Sequence, residues 1–133
     1  MGSETYHEPY DVLSPGAREM HRAIWSLIEE LEAIDWYAQR AEVTTDPELE
    51  AVLLHNREEE IEHAMMNLEW IRRKDALFDE KIRTYLLKTA PITEIEERSE
   101  GGEGGGEDEK AAAPARPQLG SGRGLGIGSL KGR

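Results

Sequence analysis

Two runs of apolar residues, each recurring at three- and four-residue steps, stand on either side of a turn signal near residue 45. The first holds Met20, Ile24, Leu27, Ile28, Leu31, Ile34 and Ala38; the second holds Leu49, Val52, Leu53, Trp70 and Ile71. That period is one face of an α-helix. Ser14-Pro15 reads as an N-cap followed by proline at the first helical position. In Thr45-Asp46-Pro47-Glu48, Thr45 and Glu48 have capping-box spacing and Pro47 fits just inside the start of the second helix. The first helix is expected to reach about Ala41 and the second about Lys74. A connection this short makes the pair an antiparallel hairpin.

The second helix also carries Ile61, Met65 and Leu68 on roughly the opposite side from its main stripe. A helix that is apolar on two sides is buried on two sides, which one hairpin cannot provide. Residues 14–91 are the foldable part, a small core for a monomer, so self-association is expected. Trp25, Glu29, Glu32 and Trp36 share another surface of the first helix, and paired tryptophans there suggest a protein interface rather than open solvent. Residues 75–90 predict a shorter third helix, with Leu77, Phe78, Ile82, Tyr85 and Leu86 on one face and Pro91 as its end. The fold class is all-α.

Outside the helices, residues 1–13 form an N-terminal extension. Its Glu4-Thr-Tyr-His7 is a Glu-x-x-His without an apolar stripe and with Pro9 close behind, so it is not taken as a site. Eleven of the 13 glycines lie beyond residue 100. Residues 92–120 lack any stripe that could bury a core and predict a disordered, flexible linker. Residues 121–133 then restore Leu125, Ile127 and Leu130 among glycines, with basic ends and no acid. A short apolar peptide after a long tether predicts a docking motif.

The chemistry concentrates in Arg57-Glu58-Glu59-Glu60-Ile61-Glu62-His63. Glu60 and His63 share a helical face, so a carboxylate and an imidazole can hold one metal ion. On a wheel of about 100° per residue both fall within about 60° of Leu49, interrupting the apolar stripe where an unpaired charge is costly. Reflection of the hairpin about position 45 sets Glu30 level with Glu60, and His63 opposite Leu27. A carboxylate-bridged di-metal bundle takes one Glu from each of two helices and a Glu-x-x-His from each of the other two. This hairpin supplies half of that, and a two-fold dimer would complete both a four-helix bundle and the centre. The donor set suits iron or manganese, and iron(II) is the one that reacts with dioxygen. Zinc is also compatible with it.

Charge and composition narrow the classes further. The net charge of -12 resides in residues 1–98, which hold 23 acids against 11 bases. That balance opposes nucleic-acid binding and favours cations. There is no cysteine, hence no disulfide or thiolate chemistry. No apolar run approaches the ~20 residues of a membrane span and no secretory signal opens the chain, so the expected compartment is the cytoplasm.

Glu29-Glu-Leu-Glu-Ala-Ile-Asp-Trp-Tyr37, His55-Asn-Arg-Glu-Glu-Glu-Ile-Glu-His63 and Leu68-Glu-Trp-Ile-Arg-Arg73 resemble the encapsulated ferritins. Leu125-Gly-Ile-Gly-Ser-Leu-Lys131 resembles the peptide that loads cargo into encapsulin shells. The resemblance implies a ferritin-like four-helix bundle made by dimerisation, with a di-iron ferroxidase centre on Glu30, Glu60 and His63. It implies metal-uptake acids at Glu29 and Glu32, an access-restricting aromatic at Trp36 and a tyrosine near the centre at Tyr37. It further implies a decameric ring of dimers, Fe(II) and dioxygen as substrates, and iron delivery to the lumen of an encapsulin nanocompartment in a bacterial or archaeal cytoplasm. The encapsulin shell protein would be held through Leu125, Ile127 and Leu130. A non-enzymatic helical cargo adaptor, stapled by its metal, is the alternative. A di-manganese or zinc hydrolase would need a substrate pocket that the sequence does not suggest.

Overall fold

The structure, a computed structural model, describes residues 5–102. Helix α1 runs Pro15–Val43 and α2 runs Pro47–Lys74. Ser14 caps α1, its hydroxyl accepting from the Ala17 amide at 3.1 Å. The start of α2 differs from the expected capping box: Asp46, not Thr45, is the N-cap. Its Oδ1 accepts from the Glu48 and Leu49 amides at 2.9 and 3.3 Å. A carboxylate one residue nearer the helix satisfies two orphan N–H groups and faces the positive end of the dipole. With only Thr44–Asp46 between them, α1 and α2 fold back on each other as the antiparallel hairpin that the spacing predicts.

Asp75 ends α2 and starts α3, Ala76–Tyr85, accepting at Oδ1 from the Leu77 and Phe78 amides at 2.9 and 3.0 Å. Arg72 then crosses this corner. It binds Glu69 on its own helix at 2.6 and 2.7 Å and forms an ion pair with Asp79 on α3. The third helix is therefore shorter than the expected 75–90. It is followed by Leu87 at a φ of 60°, a left-handed conformation that costs a branched residue about 1 kcal/mol or more.

The linker expected from Ile92 begins instead with helix α4, Ile92–Glu100. The carbonyl of Pro91 accepts from the Glu94 and Ile95 amides at 3.1 and 3.2 Å. Glu94 and Arg98 then pair one turn apart at 3.3 Å. Glutamate and arginine are good helix formers, so this segment holds helical structure without a core of its own. Residues 103–133, which include most of the expected linker and the whole apolar peptide, lie outside the described residues.

Ahead of α1, Tyr10–Val12 makes one 3-10 turn. Arg18 donates to the Tyr10 carbonyl at 2.8 and 3.1 Å and lies 4.0 Å over its ring. Tyr6 stacks on His21 at 3.9 Å, and His21 is parallel to Trp25 at 6.2 Å. These contacts latch the extension onto the first turns of α1.

What the hairpin buries is little. Among the described residues only Ala41, Ala64 and Ile71 are fully buried hydrophobics. Small alanines let the two helices approach closely, while Leu31, Val52, Met65, Met66 and Leu77 each remain about half exposed or more.

Candidate metal centre

The short turn between α1 and α2 determines where the site falls. Glu30 sits at the middle of a 29-residue helix and Glu60 at the middle of a 28-residue one. Antiparallel pairing brings the two midpoints level. Glu30, Glu60 and His63 each present a ligand atom, all within 4.8 Å of one another. Among the described residues this is the one group of three or more His or acidic side chains so placed.

Its electrostatics follow from that crowding. The Glu30 carboxyl is pushed above its ordinary range, first by its hydrogen bond with Glu60, then by burial and by the Glu60 charge. Glu60 moves the opposite way, held down by hydrogen bonds from Glu30 and from His63. The two carboxyls thus titrate as an interacting pair, Glu30 being the more readily protonated of the two. His63 Nδ1 lies 3.1 Å from Glu60 Oε2, and this contact raises the imidazole above its usual range. Two carboxylates and an imidazole with ligand atoms within 4.8 Å of one another form a hard oxygen and nitrogen donor set. The residues fit a divalent metal ion, iron among those such donors hold.

The hairpin leaves this group open on one side. The Glu60 side chain is 23% accessible and that of His63 47%, so further ligands can approach from outside the chain.

The other expected site residues are not among these ligand atoms. Glu29 and Glu32 are exposed, and Trp36 is 51% exposed. Tyr37 is half-buried under the Arg40 guanidinium, 5.6 Å from its ring. Glu4, the first residue of the discounted Glu-x-x-His, and Leu125, Ile127 and Leu130 lie outside the described residues. Two features were not foreseen. The Arg72–Asp79 pair joins positions seven apart across a helix break, where no helical spacing rule applies. The Tyr6–His21–Trp25 stack depends on the path of an extension that has no periodicity.

Residues 5–89 match the EncFtn-like family. The chain belongs to that family. A relative from Rhodospirillum rubrum named "Encapsulated ferritin-like protein" is 55% identical over 130 residues, which is 98% of this chain and 90% of the relative. A "Ferritin-like protein" of Thermotoga maritima is 50% identical over 100 residues, covering 75% of this chain and 88% of the relative. The crystal structure of protein ne0167 from Nitrosomonas europaea is 56% identical with a TM-score of 0.64. It covers 65% of this chain and 96% of that one. The EncFtn-like chain therefore has a ferritin-like helical fold, all-helical throughout its described residues. Among those residues no helix is long and apolar enough to cross a membrane.

Proposed function

We propose that this EncFtn-like chain is a ferroxidase, oxidising Fe(II) to Fe(III) with dioxygen at a di-iron site shared between two protomers. The observation that carries this reading is the convergence of Glu30, Glu60 and His63 within 4.8 Å. One hairpin offers two carboxylates and one imidazole, half of what two ions require. A two-fold axis beside the open edge of the group doubles the set. Iron is the substrate, and once bound it supplies the electrons that dioxygen accepts.

The chain's own residues do three things. Glu30 and Glu60 bind as carboxylates and turn their oxygens toward the cation. His63 is neutral when it ligates, so the Nδ1 contact with Glu60 gives way as metal comes between them. Glu29 and Glu32 concentrate Fe(II) on the adjoining surface of α1, and Trp36 narrows the approach. Tyr37 stands near the centre, as the family resemblance implies. The dimers build a decameric ring, and residues 121–133 hold it to an encapsulin shell in the cytoplasm, where the oxidised iron is stored. Support for this last part comes from the named relative from Rhodospirillum rubrum, whose similarity covers 98% of this chain and so reaches past residue 102.

The test is oxygen uptake when Fe(II), kept anaerobic until mixing, is added to protein in air-saturated buffer. Wild type consumes dioxygen in proportion to iron. Glu30→Ala, Glu60→Ala and His63→Ala each fall by about a hundredfold, the scale of losing a positioned catalytic group, with helicity unchanged by circular dichroism. Uptake by Glu60→Ala at the wild-type rate overturns the assignment. Metal binding with no dioxygen consumed by any form would favour the metal-stapled adaptor.

A further inference from the structure

Two side chains continue the metal group outward along α2. His55, Glu59 and His63 stand at four-residue steps on one face of the helix, each about one turn from the next. His55 Nε2 lies 3.2 Å from Glu59 Oε1. The three side chains are 68%, 56% and 47% exposed in that order, so the line runs from solvent inward to the ligand. Glu59 is felt at the inner end as well. The His63 imidazole is raised first by its contact with Glu60, and the Glu30 and Glu59 charges add to that shift.

A metal takes only one of the two ring nitrogens of His63. Nδ1 is the one turned into the centre, 3.1 Å from Glu60 Oε2. Nε2 makes no hydrogen bond among the described residues. A neutral imidazole that ligates through Nδ1 carries its proton on Nε2. That N–H ordinarily donates to a carboxylate or a carbonyl, which fixes the tautomer and the angle of the ring. Glu60 cannot serve, because its carboxylate is itself a ligand. Glu59 is the other acid about one turn before His63. Helical side chains lean toward the N-terminus of their helix, which carries the His63 ring toward Glu59.

We propose that Glu59 is the positioning residue of His63: with a metal on Nδ1, the Nε2–H donates to the Glu59 carboxylate, which His55 steadies from its other side. Glu59 touches no ion and acts through His63, and His55 acts one step further out. The arrangement answers a difficulty of this site. A half-exposed histidine gives up rotamer freedom each time it ligates, and a ring already held on its outer side gives up less. The proposal rests on the reading of Glu30, Glu60 and His63 as a metal centre, not on the reaction run there.

The test uses the full chain and Zn(II), which takes imidazole and carboxylate ligands and has no redox chemistry, so dioxygen plays no part. Zn(II) affinity is measured by competition with a chelator. Glu59→Ala lowers it by about tenfold or more, the range for outer partners of a ligating histidine. Glu59→Gln keeps a carbonyl acceptor and loses only about threefold, the scale of one exposed charge. His55→Ala also loses about threefold, but nothing further once Glu59 is alanine, because it acts through that residue. Glu58 is an exposed acid with no hydrogen bond or ion pair among the described residues, and Glu58→Ala changes affinity by less than about twofold. In Zn(II)-loaded protein labelled with 15N-histidine, the His63 Nε2–H is protected from exchange with water. That protection is lost in Glu59→Ala and kept in Glu59→Gln. Equal losses of affinity in Glu59→Ala and Glu58→Ala overturn the proposal, since Glu59 would then be only a charge. Protection that persists in Glu59→Ala overturns it too, because another group would be holding the ring. If His63→Ala binds Zn(II) as tightly as wild type, the centre itself fails, and this proposal fails with it.

Discussion

At the scale of single residues, two features depend most on exact position: the pairing of Glu30 with Glu60 and the cap of α2. Counting sets Glu30 beside Glu60 because the short turn fixes the reflection point near position 45, and an error of one residue there moves the pairing by less than a turn. The cap gave no such margin. Thr45 and Asp46 both have capping side chains, and only the backbone path into Pro47 decides that Asp46 accepts from Glu48 and Leu49. Asp46→Ala is expected to lower stability by about 1 kcal/mol, and Thr45→Ala by no more than a few tenths, in paired thermal or urea unfolding. Equal losses would return the cap to Thr45. Of the surface acids, Glu29 and Glu32 stand outside the cluster of ligand atoms. Glu32→Ala should therefore slow Fe(II) uptake by a few-fold and leave turnover measurable at saturating iron, while Trp36→Ala should speed uptake. Complete loss of turnover in Glu32→Ala, with bound iron gone, would make Glu32 a ligand.

At the scale of elements, α1 was legible because its apolar period runs from Met20 to Ala38, and α2 because apolar residues of one face recur at both its ends and its start carries cap and proline signals. The two short helices were only partly so. α3 ends at Tyr85, before the expected position, because Leu87 turns into the left-handed region. α4 was missed because nine residues rich in Glu offer no buried stripe, only Ile92 and Ile95 three apart. What orients α3 against α2 is charge. Hydrogen bonds from Arg72, then from Arg73, hold the Glu69 carboxyl down at about 2, against an ordinary 4.5. Asp79 is lowered too, by Arg83 first and Arg72 second. A carboxylate with a depressed folded pKa contributes stability that is complete above its unfolded value and is lost as pH falls toward the folded one. For Glu69 the window runs from 4.5 down to about 2. Arg72→Met takes away part of that difference for both acids. Its melting temperature should fall less between about pH 5 and about pH 3 than that of wild type, and amides 76–85 should exchange faster at neutral pH. An identical acid response in the two proteins would show that Arg72 does not link the helices.

At the scale of the whole molecule, the hairpin buries three hydrophobic residues among those described and leaves Trp25, Trp36, Leu49, Val52 and Trp70 more than a third exposed. A fold with so small a core is marginal as a monomer, and exposed apolar surface of this extent marks an interface. The candidate centre opens toward the same solvent. Metal and partner are then linked. If the complete donor set exists only in the dimer, Fe(II) binds the dimer and not the isolated hairpin, and each ion adds RT ln(1 + [L]/Kd) to association. That is about 2.7 kcal/mol at a hundredfold excess over Kd, or roughly a hundredfold tighter dimer per site. Light scattering on anaerobic protein near its dissociation midpoint should thus show a shift from monomer to dimers and larger rings on adding Fe(II), reversed by chelation. Glu60→Ala should associate through its apolar faces as before but show no response to iron. A wild-type monomer that stays monomeric while binding iron and consuming dioxygen at full rate would mean that one hairpin is sufficient, and the shared centre would have to be abandoned.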